Sequence, residues 1–297
     1  LTVGAGNDAG GETAAAVEPC ERSGRYWLEL EDTFFECDPE LGGRITAFGL
    51  DGDNLLAGPD IHPHNHGSTF WSSPQSDWGW PPPAELDRAP FRARVAGATV
   101  ELTSRPSARL GLRFLKRFRL ERESRAMVLQ YFIENTASEA RYAAPWEVSR
   151  VHPGGLTFFP GERAVWRSVT SCSPPLTRTA AGATWFAHDP GSFEGEHKLL
   201  ADGSQGWIAH LAGDALFIKV FPGLAEAEQA PGEAGIEIFA GPLYVEIEQQ
   251  GAFVRLDAGK ILGWTVRWYA RRIPPGTDRG VGSRDLLHLA QQTVTAG

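Results

Sequence analysis

The stretch Tyr244-Val-Glu-Ile-Glu-Gln-Gln-Gly251 alternates charged and apolar residues. In an extended chain Glu246, Glu248 and Gln250 share one face, opposite Val245 and Ile247. On an open sheet such a face is simply solvated. On a concave, enclosed sheet one carboxylate would hold its proton more tightly and could serve as a general base.

A second stretch, from Ile61 to Pro83, holds His62, His64, His66, Trp71, Trp78 and Trp80 beside Gln75 and Asp77. It is too polar and proline-rich to predict a core strand. Aromatic residues in a loop either pack down as a plug or line a site. Indole faces beside amide, carboxylate and imidazole groups suit a sugar, whose C–H face stacks and whose hydroxyls need fixed partners. If the loop is extended, the three histidines point the same way, a conceivable zinc or copper arrangement. No further ligand is evident nearby, so no metal is expected. One histidine acting as acid or base is the preferred reading.

The third stretch is Ala143-Ala-Pro-Trp-Glu-Val-Ser-Arg-Val-His-Pro-Gly-Gly155. Glu147 and Arg150 could pair with each other, or could face a cavity with Trp146. In a regular strand Trp146, Val148 and Arg150 share one side, with Glu147 and Ser149 on the other. Only a bulge would bring all of them into one pocket.

Composition narrows the partners. The chain has 297 residues and a net charge of −9, which argues against nucleic acid. No apolar run is long enough to span a membrane. Gly 34 and Pro 21 suit a protein of many strands and turns. Cys20, Cys37 and Cys172 form neither a disulfide framework nor a C-x-x-C knuckle. A Cys20–Cys37 bridge is open, with free thiols the expectation. Met127 is the sole methionine, so Leu1 reflects either a removed upstream segment or a non-standard start codon. Residues 1–19 lack the pattern of an export signal, and the compartment stays open between cytoplasm and export.

Residues 1–24 read as a flexible arm, and 25–297 as a single domain. Asp51-Gly52 predicts a tight hairpin turn after Gly43–Leu50. Leu110–Arg122 and Ala126–Glu134 show the clearest strand patterning. Shorter strands follow to Arg271, and Ser283 caps a helix running to Thr293. These elements predict an all-β protein: a large antiparallel two-sheet sandwich with a short C-terminal helix.

The three chemical segments, in this order, resemble the galactose mutarotase-like superfamily. Gly42–Leu50 with Asn54-Leu55-Leu56 looks like its opening strand. Glu134-Asn135-Thr136 before Ala144-Pro145-Trp146, then Glu248-Gln249-Gln250 and a final strand ending in Trp268-Tyr269, follow its order. Ser73-Pro74-Gln75-Ser76-Asp77-Trp78-Gly79-Trp80-Pro81-Pro82-Pro83 looks like the hallmark of an uncharacterised bacterial branch. The resemblance covers about residues 26–272. It implies a two-sheet supersandwich with a sugar cleft across one sheet. Where working mutarotases carry a histidine in a His-Pro-Tyr or His-Ser-Tyr motif, this chain reads Pro145-Trp146-Glu147.

The implied activity is aldose 1-epimerisation of a small-molecule sugar, with no cofactor. Glu248 would be the base and His66 or Glu147 the acid. Gln75, Asp77, Arg150 and Glu246 would hold the sugar, and Trp78, Trp80 and Trp146 would stack on it. Arg44 and Arg150 could also meet an anion. A non-catalytic carbohydrate-binding protein on the same fold is the alternative.

Overall fold

Asp51 and Gly52 adopt φ values of 51° and 86°, the left-handed pair that a two-residue hairpin needs. They join Arg44–Leu50 to Asp53–Asn54, as their sequence predicts. A two-residue turn also joins Arg92–Ala96 to Thr99–Thr103, and residues 121–126 join Leu112–Leu120 to Met127–Asn135. In Leu112–Leu120 every second residue is buried, the pattern of a strand with one face on the core.

The computed structural model describes residues 16–169, 177–191 and 193–296. These residues form two antiparallel sheets, of 12 and 10 strands. The middle of the larger sheet runs Arg44–Leu50, Ser68–Ser73, Arg141–Val151, Val245–Gln250, Ile236–Ala240 and His197–Ala201. Its inner face packs on the smaller sheet: Phe70 stacks on Tyr131 at 4.3 Å, and Phe48 meets Trp268 at 5.3 Å. The inner faces thus hold the main core, and the outer face of the larger sheet is left for other work. The helix Arg284–Ala296 packs Leu286 and Ala290 against the smaller sheet. Ser283 Oγ accepts the Leu286 amide at 3.2 Å, the cap expected of it. No helix among the described residues is long and apolar enough to cross a membrane.

Three expectations need correction. Residues 16–24 are not a free arm: Val17 is buried, and Cys20–Arg22 is a strand paired with Arg25–Leu30. The remainder of the expected arm lies outside the described residues. Ser68–Ser73 is no loop but a wholly buried central strand. Its Thr69-Phe70-Trp71 centre is strand-forming, and its serines find partners, as in the 2.8 Å contact between Ser68 Oγ and Ser149 Oγ. Gly67 admits the chain there, with φ +63° and a position where any Cβ would lie 2.2 Å from the Ile45 carbonyl oxygen. The histidine loop is not extended either: His62 Nδ1 accepts the amides of His64 and Asn65, which closes a turn. Cys20 and Cys37 are free thiols, and Cys172 lies outside the described residues.

Candidate active site

Register alone gathers the chemistry on the outer face of the larger sheet. Trp71 lies opposite Trp146, which lies opposite Gln250. Val148 lies opposite Glu248, and Glu248 opposite Glu237 on the next strand. Arg150 lies opposite Glu246. Alternation therefore puts Trp71, Trp146, Arg150, Glu246, Glu248 and Glu237 on one face, without a bulge.

A cavity of about 410 Å³ opens over this face, walled by Trp71, Trp80 and Trp146 and floored by Glu246, Glu248 and Lys198. A second cavity of about 330 Å³ shares Asn65, Trp71 and Trp80 with it and continues toward Arg44, Arg88 and Arg150. Together they form one cleft with an indole ridge across its middle. Trp80 is 60% exposed on that ridge. Trp71 is anchored by its Nε1, which donates to Asp87 Oδ1 at 2.8 Å, with the Arg150 guanidinium 5.1 Å over its ring.

Glu248 is the most distinctive group in the cleft. Its Oε2 accepts the Trp146 indole N–H at 2.8 Å and lies 3.7 Å from Lys198 Nζ. Its Oε1 is buried without a partner. Burial pushes its pKa up, against the pull of Lys198, to about 7. Glu237, also buried, accepts the Gln250 amide at 2.9 Å and the Ala234 backbone amide at 2.8 Å, and pairs with Lys198. Burial raises its pKa to about 8. Burial works against the Lys198 ammonium, but Glu248 and Glu237 outweigh it and raise its pKa. Lys198 also sits 4.6 Å over the Trp146 ring.

The residues expected from sequence divide cleanly. Glu246, Glu248, Trp146, Arg150, Gln75 and Trp80 all reach the cleft. Glu246 is paired with Arg150 Nε at 2.8 Å, and Arg150 also donates to Thr69 Oγ1 at 2.8 Å. The backbone amide of Gln75 donates to Glu233 Oε1 at 2.9 Å, which fixes the rim of the loop.

Four others do not reach it. Glu147 faces the inter-sheet core, paired with Lys219 at 2.9 Å and accepting the Trp268 indole at 2.9 Å. Strand alternation put it there, and it cannot touch a ligand held against Glu248. His66 lines neither cavity; it is buried, and burial with the nearby Arg44 lowers its pKa to about 4. Trp78 packs beneath Trp71 and Trp146 and donates to the Ser72 carbonyl at 2.7 Å. It is the plug, while Trp71 takes the lining role. Asp77 borders a separate hollow beside Arg109 and Arg141, where burial raises its pKa.

Sequence reasoning named Trp71 among the loop aromatics without giving it a role, and missed Lys198, Glu237, Asn65 and Tyr244. The last two are joined by a 3.1 Å bond from Asn65 Nδ2 to the Tyr244 hydroxyl. No group of three His, Cys, Asp or Glu side chains that could hold a metal occurs among the described residues.

The two-sheet antiparallel sandwich is a fold that this chain shares with solved galactose mutarotase-like proteins. A galactose mutarotase-like protein from Lactobacillus casei superposes with a TM-score of 0.58 at 12% identity, over 84% of this chain and 100% of that one. A galactose mutarotase related enzyme from Lactobacillus acidophilus gives 0.58 at 8% identity, over 84% and 98%. A TPR-domain containing protein from Parabacteroides distasonis gives 0.60 at 13% identity, over 86% of this chain but only 50% of that one, so the chain spans about half its length. At these identities the likeness shows a common fold. No protein-family model matches the chain, and no curated protein does.

Proposed function

We propose that the protein is a mutarotase-like isomerase that binds a free sugar in the indole-walled cleft and interconverts its anomers, with Glu248 as the base. The observation that carries this reading is the Glu248 carboxylate. It is buried at the floor of the cavity, with one oxygen unpartnered and a pKa raised to about 7. A base poised near neutrality suits removal of a proton from an anomeric hydroxyl. Trp80 and Trp71 supply flat apolar walls for the sugar's C–H face, and Arg150, Gln75 and Glu246 supply polar partners for hydroxyls. The shared fold and the resemblance of residues 73–83 to a branch of that superfamily support the same reading.

The test is anomeric exchange followed by NMR over a panel of aldoses. Acceleration over buffer that disappears in Glu248→Gln, while sugar-dependent tryptophan quenching survives, supports the base role. Equal rates in that variant remove Glu248 from the mechanism.

One observation favours a second reading. Among the described residues no histidine lines the cavity that holds Glu248; His62 and His64 line the adjoining one, on the far side of the indole ridge. A carbohydrate-binding protein without catalysis would show saturable quenching and no acceleration for any sugar.

A further inference from the structure

A base alone does not open a pyranose ring, because the ring oxygen must gain a proton as its bond to the anomeric carbon breaks. The residues expected to give that proton, His66 and Glu147, both lie outside the cleft. The cavity itself offers few donors. Glu246 is committed to Arg150 at 2.8 Å. The Tyr244 hydroxyl accepts from Asn65 Nδ2 at 3.1 Å, and burial raises its pKa, so it holds its own proton more tightly than a free phenol does. Lys198 lines the cavity with both of them, and what sets it apart is its place beside the base: its ammonium Nζ lies 3.7 Å from Glu248 Oε2.

We propose that Lys198 is the general acid of this site, taking the place of the absent histidine, with Glu237 as the residue that positions it. This rests on the isomerase reading above. The anomeric hydroxyl and the ring oxygen share one carbon. Two groups side by side on the cavity floor can therefore each reach one of them. Glu237 reaches Lys198 from the strand between those of Glu248 and Lys198, and is itself fixed by Gln250 and the Ala234 amide. The Trp146 ring beneath closes off another direction.

The step balances. Glu248 takes the proton of the anomeric hydroxyl, and the carbon–oxygen pair of that hydroxyl becomes a carbonyl. The bond from the anomeric carbon to the ring oxygen breaks, with its electrons going to the ring oxygen. That oxygen takes a proton from Lys198, which is left as a neutral amine. After rotation about the next carbon–carbon bond, the amine recovers its proton as the ring oxygen attacks the other face. Glu248 then returns its proton to the carbonyl oxygen.

The arrangement also answers an objection. In the resting site Glu248, and after it Glu237, raise the Lys198 pKa, which would make it a reluctant donor. When Glu248 accepts the substrate proton its charge vanishes, and one of those two restraints is lost. Lys198 therefore becomes more acidic at the moment the ring oxygen needs a proton.

The experiment compares Lys198→Arg, Lys198→Gln and Lys198→Ala with the unmodified protein, with quenching and thermal melts to confirm binding and folding. Arginine keeps the charge but does not give up a proton. The expected result is a fall in kcat of about 100-fold or more in all three. Added ethylammonium should restore part of the rate to Lys198→Ala, and guanidinium should not. Full activity in Lys198→Arg would reduce the role to electrostatics and overturn the inference, as would an active Lys198→Gln or Lys198→Ala. An unmodified protein inert toward every aldose would instead defeat the isomerase reading itself.

Discussion

The Trp146 indole donates a 2.8 Å hydrogen bond to Glu248 Oε2 from the adjoining strand. That bond favours the ionised carboxylate and works against burial, which favours the neutral acid. Trp146→Phe keeps a ring beneath Lys198 but removes the donor. The Glu248 pKa should then rise above about 7, and the acid limb of the rate profile should move to higher pH. At pH 6 the rate should fall roughly tenfold, in line with the cost of stripping a hydrogen bond from a buried charge. A profile unchanged from the unmodified protein would count against both the bond and the base.

Stability should carry the imprint of the same carboxylates. Glu248 and Glu237 start from an ordinary value of 4.5 and are raised to about 7 and about 8 in the folded state. The folded protein therefore binds these protons more tightly than the unfolded chain. Their stabilising effect is complete below pH 4.5 and is lost as pH rises toward 8. Thermal melts across that window should show Tm falling with pH by a few degrees, roughly, from this source. Glu237→Gln should flatten the slope. A slope that stays the same would place its origin elsewhere.

Much of this was legible in the residues, and the gaps have physical reasons. Alternation in 244–250 correctly put Glu246 and Glu248 on one face, and alternation in 146–150 separated Glu147 from Trp146 and Arg150. The long strand Leu112–Leu120 declared itself through alternation and buries every second residue, and Met127–Asn135 does the same from Leu129 onward. Ser68–Ser73 did not, because its serines and the prolines around it suggest a loop, and only partners distant in sequence satisfy its hydroxyls. Lys198 sits in the five-residue strand His197–Ala201, with no motif around it. The signal was a single charge in a short apolar strand, whose meaning depends on Glu237 and Glu248 across the sheet. Register between distant strands is what no local pattern supplies.

Glu147 makes the opposite case to Glu248. It is fully buried against Lys219 at 2.9 Å, and Lys219 also donates to Ser149 Oγ at 2.9 Å and the Ile247 carbonyl at 3.0 Å. Lys219→Met leaves a buried carboxylate without its cation, and should cost about 3–5 kcal/mol in urea unfolding. Adding Glu147→Gln to that variant should recover part of the loss. Glu147→Gln alone should retain its rate wherever it is folded, since its side chain faces the opposite side of the sheet from the cleft. Loss of catalysis in a well-folded Glu147→Gln would contradict the placement.

Trp80 tests the cleft itself. Its ring is 60% exposed, borders both cavities and meets Trp71 edge-on at 6.0 Å. Because so little of it is buried, Trp80→Ala should change stability by less than about 0.5 kcal/mol. A stacking contact with a sugar is worth about 0.5–1.5 kcal/mol, so KM or the quenching Kd should rise about three- to tenfold while kcat holds. That split matters, because an indole ring neither takes nor gives the protons in play and can act only through binding. An unaltered affinity would mean that ligands avoid the indole ridge, and the cleft would then have to be read from its arginine-lined end.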